Sequence, residues 1–127
     1  MKVLLVVASV LLVGVCVLSV KRFDYCVPQE VAWLRSTPIA HRGLHDAQHD
    51  ENSLGAFSNA IAYGYSIELD VRLTKDGEIV ILHDDELDAF GLDSNVSDTP
   101  LEELKRLRLA RTGEKVPTFS EALAHIG

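Results

Sequence analysis

The stretch that decides the fold is SIELDVRLTKDGEIVILH, residues 66–83. From Ser66 to Leu73 it alternates, with Ile67, Leu69, Val71 and Leu73 on one strand face and Glu68, Asp70 and Arg72 on the other. Asp76-Gly77 is a hairpin signal, and the apolar run Ile79 to Leu82 returns from it to His83. So short a connection cannot cross over to a parallel neighbour, so the return strand runs antiparallel to the first. With Asp76-Gly77 as a two-residue loop, Lys75 pairs with Glu78 and Asp70 lies opposite His83; a longer loop bulged at Gly77 shifts the register by one. Either register carries His83 to the level of the two acids.

Carboxylates at i and i+2 on one strand face are about 7 Å apart and need a compensating cation in a partly buried site. Two readings stand side by side. Arg72 supplies the charge in a salt-bridged strand face, or a divalent metal sits between Glu68 and Asp70, since hard cations take oxygen ligands. His83 closes one strand. Upstream, Pro38-Ile39-Ala40 reads as another, ending in His41-Arg42. Each histidine is either a satisfied strand-end residue or half of an acid and base pair, because an imidazole titrates near neutral pH. In α/β barrels the carboxyl ends of the strands are the catalytic face.

Working outward, a polar loop at 43–51 leads to Asn52, a good N-cap residue, which opens a helix with Leu54, Phe57 and Ile61 on one face and Gly64 after its end. Strand, loop and helix in this order form a βα unit. The loop His45-Asp46-Ala47-Gln48-His49-Asp50 is rich in ligand-type side chains, so it reads as a solvated loop or a second metal site. Beyond His83 come an acidic loop, Asp84 to Asp98, a helix from Leu101 to about Arg108, and a helix opened by a capping box, Thr118 with Glu121. His125 near the end of that last helix reads as a dipole-compatible terminal residue.

The chain has 127 residues, 47% hydrophobic and 24% charged, which excludes disordered, collagen-like and disulfide-scaffold classes. All 19 acids lie beyond residue 22, together with 9 of the 12 basic residues, so that part carries a net charge of −10. Phosphate neutralisation needs clustered cations, so no nucleic-acid partner is expected. An acidic domain that handles a phosphate needs a divalent cation to mask its own carboxylates.

Val3 to Val20 is apolar apart from Ser9, Gly14 and Ser19, and Lys21-Arg22 follows it. As a helix it would span about 27 Å, close to a bilayer core of roughly 30 Å. It is longer than a signal-peptide apolar region of about 7–15 residues, and the expectation is an uncleaved single-pass anchor. Residues 1–22 are therefore assigned to a transmembrane anchor that contacts the membrane through residues 3–20. Residues 23–36, with Tyr25 and Trp33, are assigned to an interfacial linker, and residues 37–127 to the folded domain. The positive-inside rule, with Lys21, Arg22 and Arg35 set against Lys2 and the amino terminus, places that domain on the cytoplasmic side. Cys16 would sit inside the bilayer and Cys26 outside it, so no disulfide joins them.

The blocks His41-Arg42-Gly43, Glu51-Asn52-Ser53 with Ala56-Phe57, Ile67-Glu68-Leu69-Asp70-Val71, Thr74-Lys75-Asp76-Gly77 and His83-Asp84 together resemble the glycerophosphodiester phosphodiesterase family, from Pro38 to the carboxyl terminus. The resemblance implies the N-terminal portion of a (β/α)8 TIM-type barrel, here preceded by the transmembrane helix. It also implies a divalent cation, Mg²⁺ or Ca²⁺, and hydrolysis of a small-molecule glycerophosphodiester to glycerol 3-phosphate and an alcohol. By motif position it implies Glu68 and Asp70 as metal ligands, His41 and His83 as the general acid and base, and Arg42 as a phosphate-contacting cation. Glu51 would support Arg42 or the metal shell, or lie in a solvated loop. Asp50 departs from the family's pattern, which has proline there. A whole barrel typically needs ~250 residues, so the chain reads as the front of a longer protein whose third acidic ligand lies further on. The isolated chain, with an unclosed sheet, is expected to be poorly soluble and nearly inactive. Two other readings are a non-catalytic, membrane-tethered binding module or inactive fragment of the same fold, and a related phospholipase acting on intact or lysophospholipid.

Overall fold

Gly43 sets the geometry of the amino-terminal βα unit. The computed structural model describes residues 29–127, and Leu34–Gly127 forms one compact unit. The anchor expected at 1–22 and the first part of the linker, 23–28, lie outside the described residues. No helix among the described residues is long and apolar enough to cross a membrane. A 3-10 helix covers Gln29–Arg35. Strand β1 is Ile39–Ala40, helix α1 Leu54–Ala62 and strand β2 Ser66–Ile67. β1 and β2 pair in parallel, Ile39 with Ser66 and Ala40 with Ile67. Between β1 and α1 the chain must reverse, and Arg42 and Gly43 both take positive φ, 57° and 80°. A Cβ on Gly43 would lie 2.8 Å from Ala56 Cβ and 2.9 Å from Phe57 Cδ1, so α1 packs directly on its backbone.

That contact explains how α1 is rotated. The expected face was Leu54, Phe57 and Ile61; the buried residues are Ala56, Phe57 and Ala60, and Ile61 is 45% exposed. The N-cap is Ser53, whose hydroxyl accepts from Ala56 N at 3.0 Å, rather than Asn52. At the other end Gly64, with φ 70°, follows the helix as expected, and its N–H donates to Ile61 O.

The alternating stretch is not one strand. β2 ends at Ile67, and β3, Val71–Leu73, begins a separate two-stranded sheet with β4, Ile79–Ile81. Between them the backbone is claimed by the 40–52 loop: Glu68 N donates to Ala40 O, Glu68 O accepts from Gly43 N, and Asp70 N donates to Asn52 Oδ1. The hairpin is antiparallel as expected, in the shifted register: Val71 pairs with Ile81, Arg72 with Val80 and Leu73 with Ile79. Gly77 has φ 84° and its N–H donates to Thr74 O, as a bulged three-residue loop requires. Asp70 therefore does not face His83 across the ladder. Asp76 ties this turn down, accepting from the Thr74 hydroxyl at 2.6 Å and from Leu101 N at 3.0 Å.

Val80, Ile81 and Leu82 of the returning segment are all buried, and alternation sends them to two cores. Ile81 joins Phe57 and Ala122, with Leu54, Ile67, Leu69 and Phe119 around them; Val80 and Leu82 join Leu87, Val96, Leu104, Leu109 and Val116. Helix α2 is shorter than expected, Leu101–Leu104, because the chain tightens to i→i−3 bonds at Arg106 and Leu107 and then bridges Arg108 to Lys115. Helix α3, Phe119–Ile126, has the expected capping box at Thr118 and Glu121. His125 does more than face the helix dipole: its Nε2 lies 2.7 Å from the Ser58 hydroxyl of α1.

Gly43→Ala should destabilise the unit by about 3 kcal/mol, from a strained φ plus overpacking against Ala56 and Phe57. Gly77→Ala, where φ is also positive but the surroundings are open, should cost about 1 kcal/mol. Denaturant unfolding of both variants checks this, and equal losses would show that packing on α1 does not constrain Gly43.

Candidate active site

Arg42 is the hub to which the carboxylates come. Backbone bonds to Ala40 and Gly43 hold Glu68 beside the turn, and Arg42 N donates to Glu68 Oε2 at 3.0 Å. Its side chain turns the other way, with Nη1 2.7 Å from Glu51 Oε1 and Nε 3.3 Å from Asp70 Oδ2. The second contact is an ion pair without hydrogen-bond alignment, which leaves the buried Nε without a hydrogen-bond partner. The hydrogen bond that Arg42 donates to Glu51 holds the guanidinium above its ordinary pKa; desolvation opposes this, and the charges of Glu51, Asp70 and Asp84 add to it.

Asn52, read from the sequence as a helix cap, fastens Asp70 instead. Its Nδ2 donates to Asp70 Oδ2 at 3.0 Å, its Oδ1 accepts from Asp70 N at 3.2 Å, and its own N–H donates to Arg42 O at 2.8 Å. Holding this bridge puts Asn52 at φ 55°, a left-handed conformation that asparagine tolerates better than most residues. Of the two readings of these acids, the one in which Arg72 forms a salt bridge with them is not what the fold adopts. Arg72 Nε and Nη2 both donate to His83 O, the former at 2.9 Å, so Arg72 fixes the backbone at His83 and Arg42 is the cation that faces the acids.

His83 lies just beyond β4. Its Nδ1 is 2.7 Å from Asp84 Oδ1, and because a carboxylate only accepts, this contact keeps a proton on Nδ1, which in the neutral ring leaves Nε2 as the acceptor. The sequence assigned Asp84 no separate role. His41 directly follows β1, is exposed, and makes no side-chain hydrogen bond among the described residues. Hydrogen bonds thus join Arg42, Glu51, Asn52, Glu68 and Asp70, while His83 shares a cleft wall with Glu51 and Asn52; no such contact ties His41 to the others.

The donor set suits a hard cation in part. One oxygen of each acid, Glu68 Oε2 and Asp70 Oδ2, is taken by Arg42 or Asn52, and the second takes no hydrogen bond among the described residues. No group of three metal-ligating side chains converges among the described residues. The loop at 45–50 is occupied by its own hydrogen bonds. Asp46 Oδ1 accepts from Gln48 N, His49 N and the His49 ring, which holds its carboxyl below the usual range.

Asp50 is a buried clasp. Its carboxylate accepts from Arg111 N at 3.1 Å, Thr112 N at 2.8 Å and the Thr112 hydroxyl at 2.7 Å. Burial pushes its carboxyl up, but the two bonds from Thr112 and the one from Arg111 outweigh this and hold it below the usual range. The next two residues are Glu51 and Asn52, so the clasp anchors the loop that positions Arg42 and Asp70. The Asp50–Thr112 contact spans 62 positions, and no local pattern announces it.

Residues 41–127 match the glycerophosphoryl diester phosphodiesterase family. A glycerophosphodiester phosphodiesterase of Caldanaerobacter subterraneus subsp. tengcongensis is 39% identical over 103 residues, which cover 74% of this chain and 42% of that protein. Glycerophosphodiester phosphodiesterase 1 of Homo sapiens is 36% identical over 101 residues, 71% of this chain and 30% of that protein. A phosphodiesterase from Oleispira antarctica, solved in complex with the product sn-glycerol-3-phosphate, superposes with a TM-score of 0.63 at 38% identity, covering 71% of this chain and 39% of that one. A glycerophosphodiester phosphodiesterase from Thermotoga maritima gives a TM-score of 0.59 at 38% identity, with 72% and 39% covered. The chain belongs to the glycerophosphodiester phosphodiesterase family, and its fold is a portion of that family's barrel. It spans between 30% and 42% of the length of these relatives.

Because the folded state holds the Asp50 carboxyl below the unfolded value of about 3.9, its stabilisation is complete above that pH and is lost as pH falls through the folded value. Asp50→Asn should cost roughly 2 kcal/mol at pH 7 and should flatten the loss of stability as pH falls below about 4. Denaturant melts from neutral pH down through that value read both effects, and an unchanged acid limb would remove Asp50 as its source.

Proposed function

We propose that the protein hydrolyses glycerophosphodiesters to glycerol 3-phosphate and an alcohol with the help of a divalent cation, Mg²⁺ or Ca²⁺. The observation that carries this reading is the constellation at the carboxyl ends of β1 and β2: a guanidinium held between Glu51 and Asp70, with Glu68 on its backbone N–H. Family membership supports it, as does the relative solved with sn-glycerol-3-phosphate.

Glu68 and Asp70 would hold the cation, which when bound masks their charge and polarises a phosphoryl oxygen. Arg42, oriented by Glu51, binds another phosphoryl oxygen and is preorganised for the charge that builds there. Its Nη2 makes no hydrogen bond to protein among the described residues and is the donor left for substrate. His83, with Nδ1–H held by Asp84, uses Nε2 either to accept the proton of the nucleophile or, as the imidazolium, to give one to the leaving alkoxide, and His41 serves the opposite transfer. One imidazole accepts as the P–O bond forms, and the other donates as the alkoxide leaves.

We assign residues 1–22 to a membrane anchor, 23–36 to an interfacial linker and 37–127 to the barrel domain, on the cytoplasmic side. The apolar stretch 3–20 followed by Lys21-Arg22 supports that arrangement.

In the full-length protein, His41→Ala and His83→Ala should each lower turnover of a glycerophosphodiester at least about 100-fold. Asp84→Asn should lower kcat more than it raises KM, since it disturbs the tautomer rather than binding. Chelation should abolish activity, with Mg²⁺ or Ca²⁺ restoring it. Wild-type rates in both histidine variants would remove them from the chemistry.

A further inference from the structure

The tract Asn52 to Ile67 contains no Asp, Glu, Lys or Arg, although 24% of the chain is charged and the part beyond residue 22 carries a net charge of −10. It forms α1 and the connection into β2. The ionisable side chains bonded to α1 among the described residues, Glu114 at Gly55 and His125 at Ser58, meet it before Asn59. Its later part is open and apolar, with Ile61 45% exposed and Tyr63 68% exposed. Tyr63 meets Tyr65 edge to face, ring centroids 6.4 Å apart. Neither phenol hydroxyl makes a hydrogen bond among the described residues.

The same end of the βα unit receives the incoming chain. Ser66 N donates to Pro38 O at 2.9 Å, and Ser66 pairs with Ile39, which is 52% exposed. Pro38-Ile39 therefore lies beside Tyr65-Ser66 at the amino ends of β1 and β2, whereas Arg42, Glu68 and Asp70 follow the carboxyl ends of those strands. Tyr63 and Tyr65 belong to the α1–β2 connection, past the ends of the strands, so strands added at the sheet edges would not cover them. Seventeen residues separate Val20 from Pro38, so a bilayer anchor at 3–20 keeps this end of the sheet within about 60 Å of lipid. Such a tether makes contact with the bilayer intramolecular, at an effective concentration on the order of millimolar, and a small patch is then enough.

We propose that this surface, Ile39, Ile61, Tyr63 and Tyr65, docks on the lipid interface of the membrane that holds the anchor. The proposal rests on the anchor assignment above and adds the face that the domain turns to the bilayer. Tyrosine suits that zone because its ring is apolar while its hydroxyl finds headgroup or water partners. An anionic leaflet repels the acidic remainder of the domain, and a tract without charge approaches lipid at the least desolvation cost. With the amino ends of β1 and β2 toward lipid, the Arg42 turn and its carboxylates face water.

The experiment attaches a fluorophore to Ala62→Cys or, separately, to Asp93→Cys, both at exposed positions. The full-length protein carries Cys16→Ser and Cys26→Ser and is reconstituted in phosphatidylcholine vesicles. Lipid bearing a headgroup nitroxide should quench the probe at 62 at least about threefold more than the probe at 93, and aqueous iodide should favour the probe at 93. Tyr63→Asp, at a largely exposed position, should at least halve that difference. A probe at 62 that iodide reaches and lipid quenches no better than the probe at 93 overturns the docking while leaving the anchor in place. A probe at 62 shielded from both quenchers shows that protein covers this surface, and a difference that survives Tyr63→Asp removes the tyrosine contact; either result also overturns the docking. Protein that fails to float with the vesicles overturns the anchor assignment and the docking together.

Discussion

The backbone reversal at Arg42-Gly43 is the constraint on which the rest of the site depends. β1 ends at Ala40 beside β2, and α1 must lie back across them, so the chain turns within three residues through two consecutive left-handed conformations. Only a residue without a Cβ fits at Gly43, where α1 packs on the backbone. The turn leaves Arg42 N pointing at Glu68 and sends its guanidinium toward Glu51 and Asp70. Strain in a non-glycine residue at this point is consistent with a functional position, because the surrounding packing holds it there.

Around this turn, charges that repel in the sequence are separated by assignment to different partners. Glu68 takes the backbone of Arg42, Glu51 and Asp70 take its side chain, Asp84 takes His83, and Asp50 takes Arg111 and Thr112. Two further acids are spent on turns, Asp46 in its own loop and Asp76 on Thr74 and Leu101. The acidity of the chain is therefore partly structural. What remains for a cation is one oxygen on each of Glu68 and Asp70, a small and hard donor set.

β4 connects the site to the cleft. Because Val80 and Ile81 are buried on its opposite faces, it stands between the α1–α3 core and the core built from residues 80–116. The second core carries Phe90 and Leu107, and its loop carries Thr112, which clasps Asp50. The segment after His83 thus does more than cover the sheet: it supplies the outer wall of the cleft and holds the Glu51-Asn52 loop in place.

Much of this was legible along the chain. Alternation at 66–73, the Asp-Gly turn, the glycine after α1 and the Thr118 capping box are local rules, satisfied within a few residues, and the motif blocks that carry the family resemblance are equally local. The candidate residues His41, Arg42, Glu68, Asp70 and His83 could be named for the same reason, and of these the fold ties Arg42 to Glu68 and Asp70. Their partners could not. Arg42 rather than Arg72 faces the acids, Asn52 leaves the helix cap to Ser53 in order to hold Asp70, and the hairpin takes the bulged register. Each of these depends on hydrogen bonds between segments far apart in sequence, such as Asp50 with Thr112, and on which backbone groups remain unpaired once β2 gives way to β3. Sequence alone determined the motif blocks that carry the family; tertiary structure decided which of their side chains meet, because directional bonds and steric fit act on distances that only the folded chain creates.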